Sequence, residues 1–230
     1  MKKYFLTIIA SLFLLSSNAF AGSLGVGVAG HIASVSADGT ETTGTGTGES
    51  GTDNSVTSAT AGNDFGFGSV FAEYSFGDSE VFTLGVDYIP GSADINRANV
   101  SRTDTATGDS GNNNQSGTRT ANAEITDHIT YYAEIGGMNS LYGKLGFSQV
   151  DIKTTETSTA SGTFGTYPDK TLDAFTYGVG YKGEFGTNGY FKVEGYYTDY
   201  DTFSADSTTN NKVSADLDVV GAAFRLGFKF

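Results

Sequence analysis

The feature that most narrows the fold of this chain is a period of two. Over residues 220–230 every second residue is apolar: Val220, Ala222, Phe224, Leu226, Phe228 and Phe230, with Arg225 and Lys229 between them. Such alternation puts one set of side chains on each face of a strand. The pattern runs to a terminal aromatic, where chain ends are ordinarily polar and frayed. It describes a strand that must be inserted and closed against a partner.

The same period recurs in seven earlier segments. They cover about 23–37, 65–76, 80–89, 123–135, 140–154, 170–185 and 190–203. In the fifth, Leu141, Leu145 and Phe147 oppose Tyr142, Lys144 and Ser148. In the sixth, Phe175, Tyr177, Val179 and Tyr181 oppose Thr176, Gly178, Gly180 and Lys182. The second has a blurred phase, because Phe65, Phe67 and Phe71 face away from Val70, Ala72, Tyr74 and Phe76. Polar stretches at 38–64, 92–122, 155–169 and 204–211 alternate with tight turns at 77–79, 136–139 and 186–189. The polar stretches lack any hydrophobic period and read as mobile loops. Pro90-Gly91 marks a bend or the end of regular pairing. Asn188-Gly189 suits the positive φ of a hairpin turn. Four long connections on one side and three short ones on the other require eight strands.

This pattern resembles the small eight-stranded bacterial outer-membrane β-barrels of the OmpA, OmpX and OmpW type. The resemblance is one of topology over residues 22–230, with a terminal strand of the kind that closes such barrels. It implies an all-β, antiparallel up-and-down transmembrane barrel with both termini periplasmic and long loops extracellular. It also implies that Phe224, Leu226, Phe228 and Phe230 form the signal read by the barrel insertion machinery. The amino terminus agrees: Lys2 and Lys3, an apolar run over 4–15 and Ala19-Phe20-Ala21 have the layout of a secretory signal. That run is shorter than the roughly 20 residues a spanning helix needs. The expected domains are therefore a signal peptide, 1–21, and a barrel, 22–230.

Composition fits. Lipid offers no partner for unpaired backbone groups, so a chain without long apolar runs spans only as a closed barrel. Mean hydropathy is −0.20, as expected when only alternate residues face lipid. Thirty-two Gly, 17 Phe, 13 Tyr and only 2 Pro favour strands over helices. With no cysteine there are no disulfides and no lipoprotein anchor. The formal charge of −13, more negative still once Lys2 and Lys3 are removed, argues against nucleic acid as a partner.

Charge also orients the strands. A charged side chain facing lipid at the bilayer midplane costs about 2–4 kcal/mol. Glu73, Asp87, Glu134, Lys144, Lys182, Glu184, Lys192, Glu194, Arg225 and Lys229 lie opposite the apolar series. They are expected in the lumen, as a balanced, mutually paired network that plugs it; solvated charges at the rim are the plainer alternative. Tyr74, Tyr88, Tyr131, Tyr177, Tyr181, Tyr190 and Tyr197 are expected at segment ends or outward positions, either at the headgroup boundary or in ordinary cross-strand packing.

No catalytic motif emerges. The two histidines are His31 and His128. Asp127 adjoins His128, but neighbours on a strand point to opposite faces, and no Gly-x-Ser-x-Gly elbow is present. Asp104, Asp109 and Asn112–Asn114 depart from calcium-loop spacing. The Gly-Thr repeat at 44–48 has no following helix for a phosphate site. The expectation is a monomeric, non-enzymatic protein without cofactor or metal. It would contact outer-membrane lipid and serve as a structural barrel or present loops to a surface ligand. Two alternatives stand: an OmpW-like narrow pore or lateral passage for small molecules, and a soluble exported barrel that holds a ligand, as in lipocalins.

Overall fold

The computed structural model describes residues 22–42, 56–94, 100–107, 114–158, 166–208 and 211–230. The expected signal, 1–21, lies outside them, as do the tips of the long connections. Ten strands follow in order: β1 (Gly22–Thr42), β2 (Val56–Phe76), β3 (Phe82–Asp94), β4 (Val100–Thr107), β5 (Asn114–Ile135), β6 (Ser140–Ser158), β7 (Lys170–Phe185), β8 (Gly189–Tyr200), β9 (Phe203–Asp206) and β10 (Lys212–Lys229). Eight of them make the wall, in the order β1-β2-β3-β5-β6-β7-β8-β10, with every neighbouring pair antiparallel. β10 pairs back onto β1, from Gly25↔Lys229 to Thr42↔Lys212, and closes the ring. Closure leaves the ring no free edge at that seam.

The other two strands lengthen hairpins. β4 pairs only with β5, and β9 extends the β8–β10 connection by pairing with Lys212–Ala215. The long connections are thus far more regular than their composition implies. β1 and β2 pair without interruption from Gly22↔Phe76 to Thr42↔Val56. At about 3.4 Å per residue these 21-residue strands are about 70 Å long, against a hydrocarbon core of about 30 Å. The reading of 38–64 as a mobile loop is corrected over 38–42 and 56–64, and that of 92–122 over 92–94, 100–107 and 114–122. The strand extensions are rich in Thr, whose β-branch suits extended backbone. At the far ends of β1 and β2 the residues on both faces are exposed or part-exposed, so no apolar alternation marks that ribbon.

The three short turns use positive φ at Gly77 and Glu80, Gly136 and Asn139, and Gly186. In the last turn the positive φ falls on Gly186, not on Asn188-Gly189. The Asn188 amide instead donates to the Lys229 carbonyl at 2.8 Å. Pro90-Gly91 does not end β3. One extra residue is absorbed between Ile89 and Ser92, and pairing with β5 continues to Asp94. β5 carries a matching irregularity between Thr126 and Ile129, with Asp127 at φ 50°.

This bend opens the wall. β2 and β3 pair only from Val70↔Tyr88 to Phe76↔Phe82. Above that point, among the described residues, β2 stays with β1 and β3 stays with β5. A slot separates Phe65 and Phe67 on one side from Ile89–Ser92 on the other.

The outer wall is apolar and open: Ile32, Leu141, Leu145, Val179, Val220 and Phe224 are all at least half exposed. Tyr177, Tyr181 and Tyr197 are 40–52% exposed, whereas Tyr74 and Tyr88 are buried. Tyr190 is buried too and points inward. Its parity with Lys192 gives the reason.

Candidate functional site

The inner face stacks three layers. The layer towards the short turns is ionic. Every wall strand except β1 contributes: Glu73 from β2, Asp87 from β3, Glu134 from β5, Lys144 from β6, Lys182 from β7, Lys192 and Glu194 from β8, and Arg225 from β10. Each is at most 5% exposed. The charges fall into two groups, each with two acids and two bases. In one, the Lys192 ammonium donates to Glu73 Oε2 at 2.6 Å and Glu134 Oε2 at 2.7 Å. Lys182 lies 3.8 Å from the same Glu134 oxygen, and the Tyr132 hydroxyl donates to Glu73 at 2.7 Å. In the other, Lys144 donates to Glu194 Oε1 at 2.8 Å, and Arg225 spans Asp87 and Glu194. The Tyr142 hydroxyl donates to the second Glu194 oxygen at 2.8 Å. Bringing charges out of water is costly unless each is paired and further hydrogen-bonded, and this arrangement supplies both.

Glycine gives the tyrosines room. A Cβ on Gly85 would lie 2.3 Å from the Tyr132 ring, and one on Gly227 would lie 2.2 Å from the Tyr190 ring. These glycines share the inward face with the charges. Where the lumen takes a ring from one strand, its neighbour gives up a side chain. Lys144 then sits 4.6 Å above the Tyr132 ring centroid, a favourable cation–π placement.

Glu184 and Lys229 do not belong to this layer. Glu184 is exposed, Lys229 is part-buried, and they meet at 2.6 Å beside the short turns. Glu80, which sequence reasoning left out, completes the trio 3.2 Å from Lys229. It sits in a turn, where strand parity gives no signal. The terminal series Phe224, Leu226, Phe228 and Phe230 lies on the outer wall, 42–70% exposed. The Phe230 amide donates to the Leu24 carbonyl at 2.9 Å.

Above the ionic layer, hydroxyls cross four strands in a chain: Thr130 to Ser148 at 2.8 Å, Ser148 to Thr176 at 3.4 Å, and Thr176 to Thr198 at 2.9 Å. Beside this chain lies a cavity of about 130 Å³ that brings His31 and His128 into one space. The His31 ring stacks on Phe67, with centroids 4.5 Å apart, and its Nε2 meets Ser69 Oγ at 3.0 Å. His128 Nε2 meets the Tyr200 hydroxyl at 3.2 Å. The His31 contacts join β1 to its neighbour β2 across the long 38–64 connection, and the His128 contact joins β5 to β8, so neither pairing was visible in the sequence. The third layer is apolar: Val150, Ile152, Leu172, Phe203, Ala205 and Leu217 pack together over the cavity.

Among the described residues no group of three or more His, Cys, Asp or Glu could hold a metal ion. No family model and no curated protein sequence matches the chain. Solved structures similar to it include the outer membrane protease OmpT from Escherichia coli (10% identity, TM-score 0.45, covering 94% of this chain and 100% of that one). The outer membrane protein AlkL in lipid bilayers is another (12%, 0.38, 94% and 93%), as is OprG from Pseudomonas aeruginosa (14%, 0.37, 92% and 97%). These are likenesses of barrel build. A closed ring of eight antiparallel strands, apolar outside and ionic within, makes the chain an all-β, up-and-down barrel.

Proposed function

We propose that the protein is a non-enzymatic, monomeric barrel integral to the bacterial outer membrane, with a sealed lumen, whose long hairpins stand at the cell surface. In this reading residues 1–21 are a removed signal. Phe224, Leu226, Phe228 and Phe230 address the chain to the insertion machinery, and both termini are periplasmic. One observation carries the reading: eight ionic side chains from seven strands are paired across the lumen and almost wholly withdrawn from water. An eight-stranded ring is just wide enough for side chains to fill. An ion crossing it would have to break pairs worth several kcal/mol each. What such a body offers its surroundings is the set of ribbons it holds rigid.

The nearest approach to a nucleophile–base pair is Ser69 with His31. Ser69 is only 3% exposed, and His31 Nδ1 has no carboxylate to orient it. That favours the non-enzymatic reading. Purified protein in a planar bilayer tests the seal. Negligible single-channel conductance is expected, and a steady conductance in the nanosiemens class would overturn it.

A further inference from the structure

The cavity between the ionic layer and the apolar cluster has three properties that belong together. First, it is reached from the side. Pro90, Gly91 and Ser92 line it and are exposed, and they face Phe65 and Phe67 across the slot where β2 and β3 do not pair. Second, it carries unspent hydrogen-bonding capacity. His31 Nδ1, His128 Nδ1, Thr126 Oγ1 and the Tyr196 hydroxyl are all shielded from solvent without a partner, and all four residues line the space. His31 and Thr126 are more than nine-tenths buried. Buried polar atoms without partners are costly, and four around one space point to an absent occupant. Third, its charges cancel. Lys144 and Arg225 reach it from the floor together with Asp87 and Glu194, and these four already pair with one another.

We infer that this cavity is a blind binding site, entered through the β2–β3 slot, for a small uncharged amphiphile: an aromatic or short-chain alcohol. The apolar body lies against Phe65, Phe67 and Ile89, and the hydroxyl, which makes at most three hydrogen bonds, takes its partners from His31, His128, Thr126 and Tyr196. A charged head is disfavoured, since the four floor charges sum to zero and a newcomer would be buried without a counterion; Asp87 Oδ1 and Arg225 Nε each keep one unused hydrogen-bonding position there. A plain hydrocarbon leaves the four polar atoms unmatched. The volume sets the size: a cavity of about 150 Å³ holds one benzene ring, and this one is slightly smaller, with a mouth to take the remainder. The site is a dead end, with the ionic layer below and the apolar cluster above. Binding here is therefore separate from whether the lumen conducts.

The two histidines make the test direct. The full chain, labelled at histidine and held in lipid nanodiscs, is titrated with benzyl alcohol, toluene, benzoate and benzylammonium while both imidazole spectra are followed. Benzyl alcohol is expected to saturate and shift both. Toluene, benzoate and benzylammonium should each bind at least about tenfold more weakly, the loss of one well-made hydrogen bond or the burial of one unmatched charge. Thr126→Val should weaken benzyl alcohol but not toluene. Ile89→Trp, which fills the mouth and leaves the polar atoms intact, should abolish binding of both; circular dichroism verifies that each variant is folded. Non-saturating shifts for every probe, equal affinity for toluene and benzyl alcohol, or tighter binding of either charged probe would overturn the inference. So would saturation that Ile89→Trp leaves unchanged.

Discussion

Replacing Lys192 by Met should be among the most damaging single changes in the barrel. The ammonium is wholly buried and is held by two carboxylates, at 2.6 and 2.7 Å. Without it Glu73 keeps the Tyr132 hydroxyl, and Glu134 keeps only Lys182, at 3.8 Å. Two like charges roughly 5 Å apart at an effective dielectric of about 20 repel by about 3 kcal/mol. Orphaning one member of a buried pair costs about 3–5 kcal/mol. Both routes give a loss near 3–5 kcal/mol, a large share of the roughly 5–15 kcal/mol that holds a domain together. The assay is urea unfolding in lipid vesicles followed by circular dichroism, where a slope of about 2 kcal/mol per molar turns the loss into a midpoint about 2 M lower. The combined variant Glu73→Gln, Glu134→Gln, Lys192→Met removes the charges together and should regain most of the stability. Lys229→Met, at the exposed trio, should cost under about 1 kcal/mol. A Lys192→Met midpoint within error of the parent, or a combined variant no better than the single one, would refute the reasoning.

Other outcomes follow from the same geometry. Gly85→Val should cost about 1–3 kcal/mol through overpacking against Tyr132, whereas Gly195→Ala, with open space around it, should be neutral in the same assay. Leu145→Arg, on the open outer wall, should lower stability in vesicles by about 2–4 kcal/mol if it lies at mid-bilayer. Phe230→Ser should lower the amount of folded barrel recovered from outer membranes, while the purified variant still folds in vesicles; unchanged recovery would count against a role in insertion. Protease added to intact cells should cut within 92–122 and spare the turns at 77–79, 136–139 and 186–189.

The ring was legible in the sequence because the two faces of its wall carry opposite chemistry on alternate residues. Leu145 and Lys144 differ by one position, and their exposure falls from 63% to 5%. That signal fades where the constraint ends. The β1–β2 ribbon has Thr and Ser on both faces, so its outer half read as loop. β4 was invisible for the same reason, and β9, with four residues, is too short to show a period. The ionic residues were legible as a set, but their partners were not: Glu73 and Lys192 lie 119 positions apart, and only the register of the closed ring brings them together. The phase of β2 was blurred by three inward or part-inward phenylalanines. Two of these, Phe65 and Phe67, turned out to border the slot, where the wall departs from ordinary pairing. The cavity itself had no sequence signal beyond Pro90-Gly91 and two histidines of matching parity.

The central claim is that the apolar stripe of each strand looks outward into hydrocarbon. Spin labels at Leu145, Val179 and Phe224 in lipid-embedded protein test it most directly, through collision with oxygen dissolved in lipid against a water-soluble nickel chelate. All three labels should be accessible to oxygen and shielded from nickel. Ready access of nickel at these positions would contradict the account.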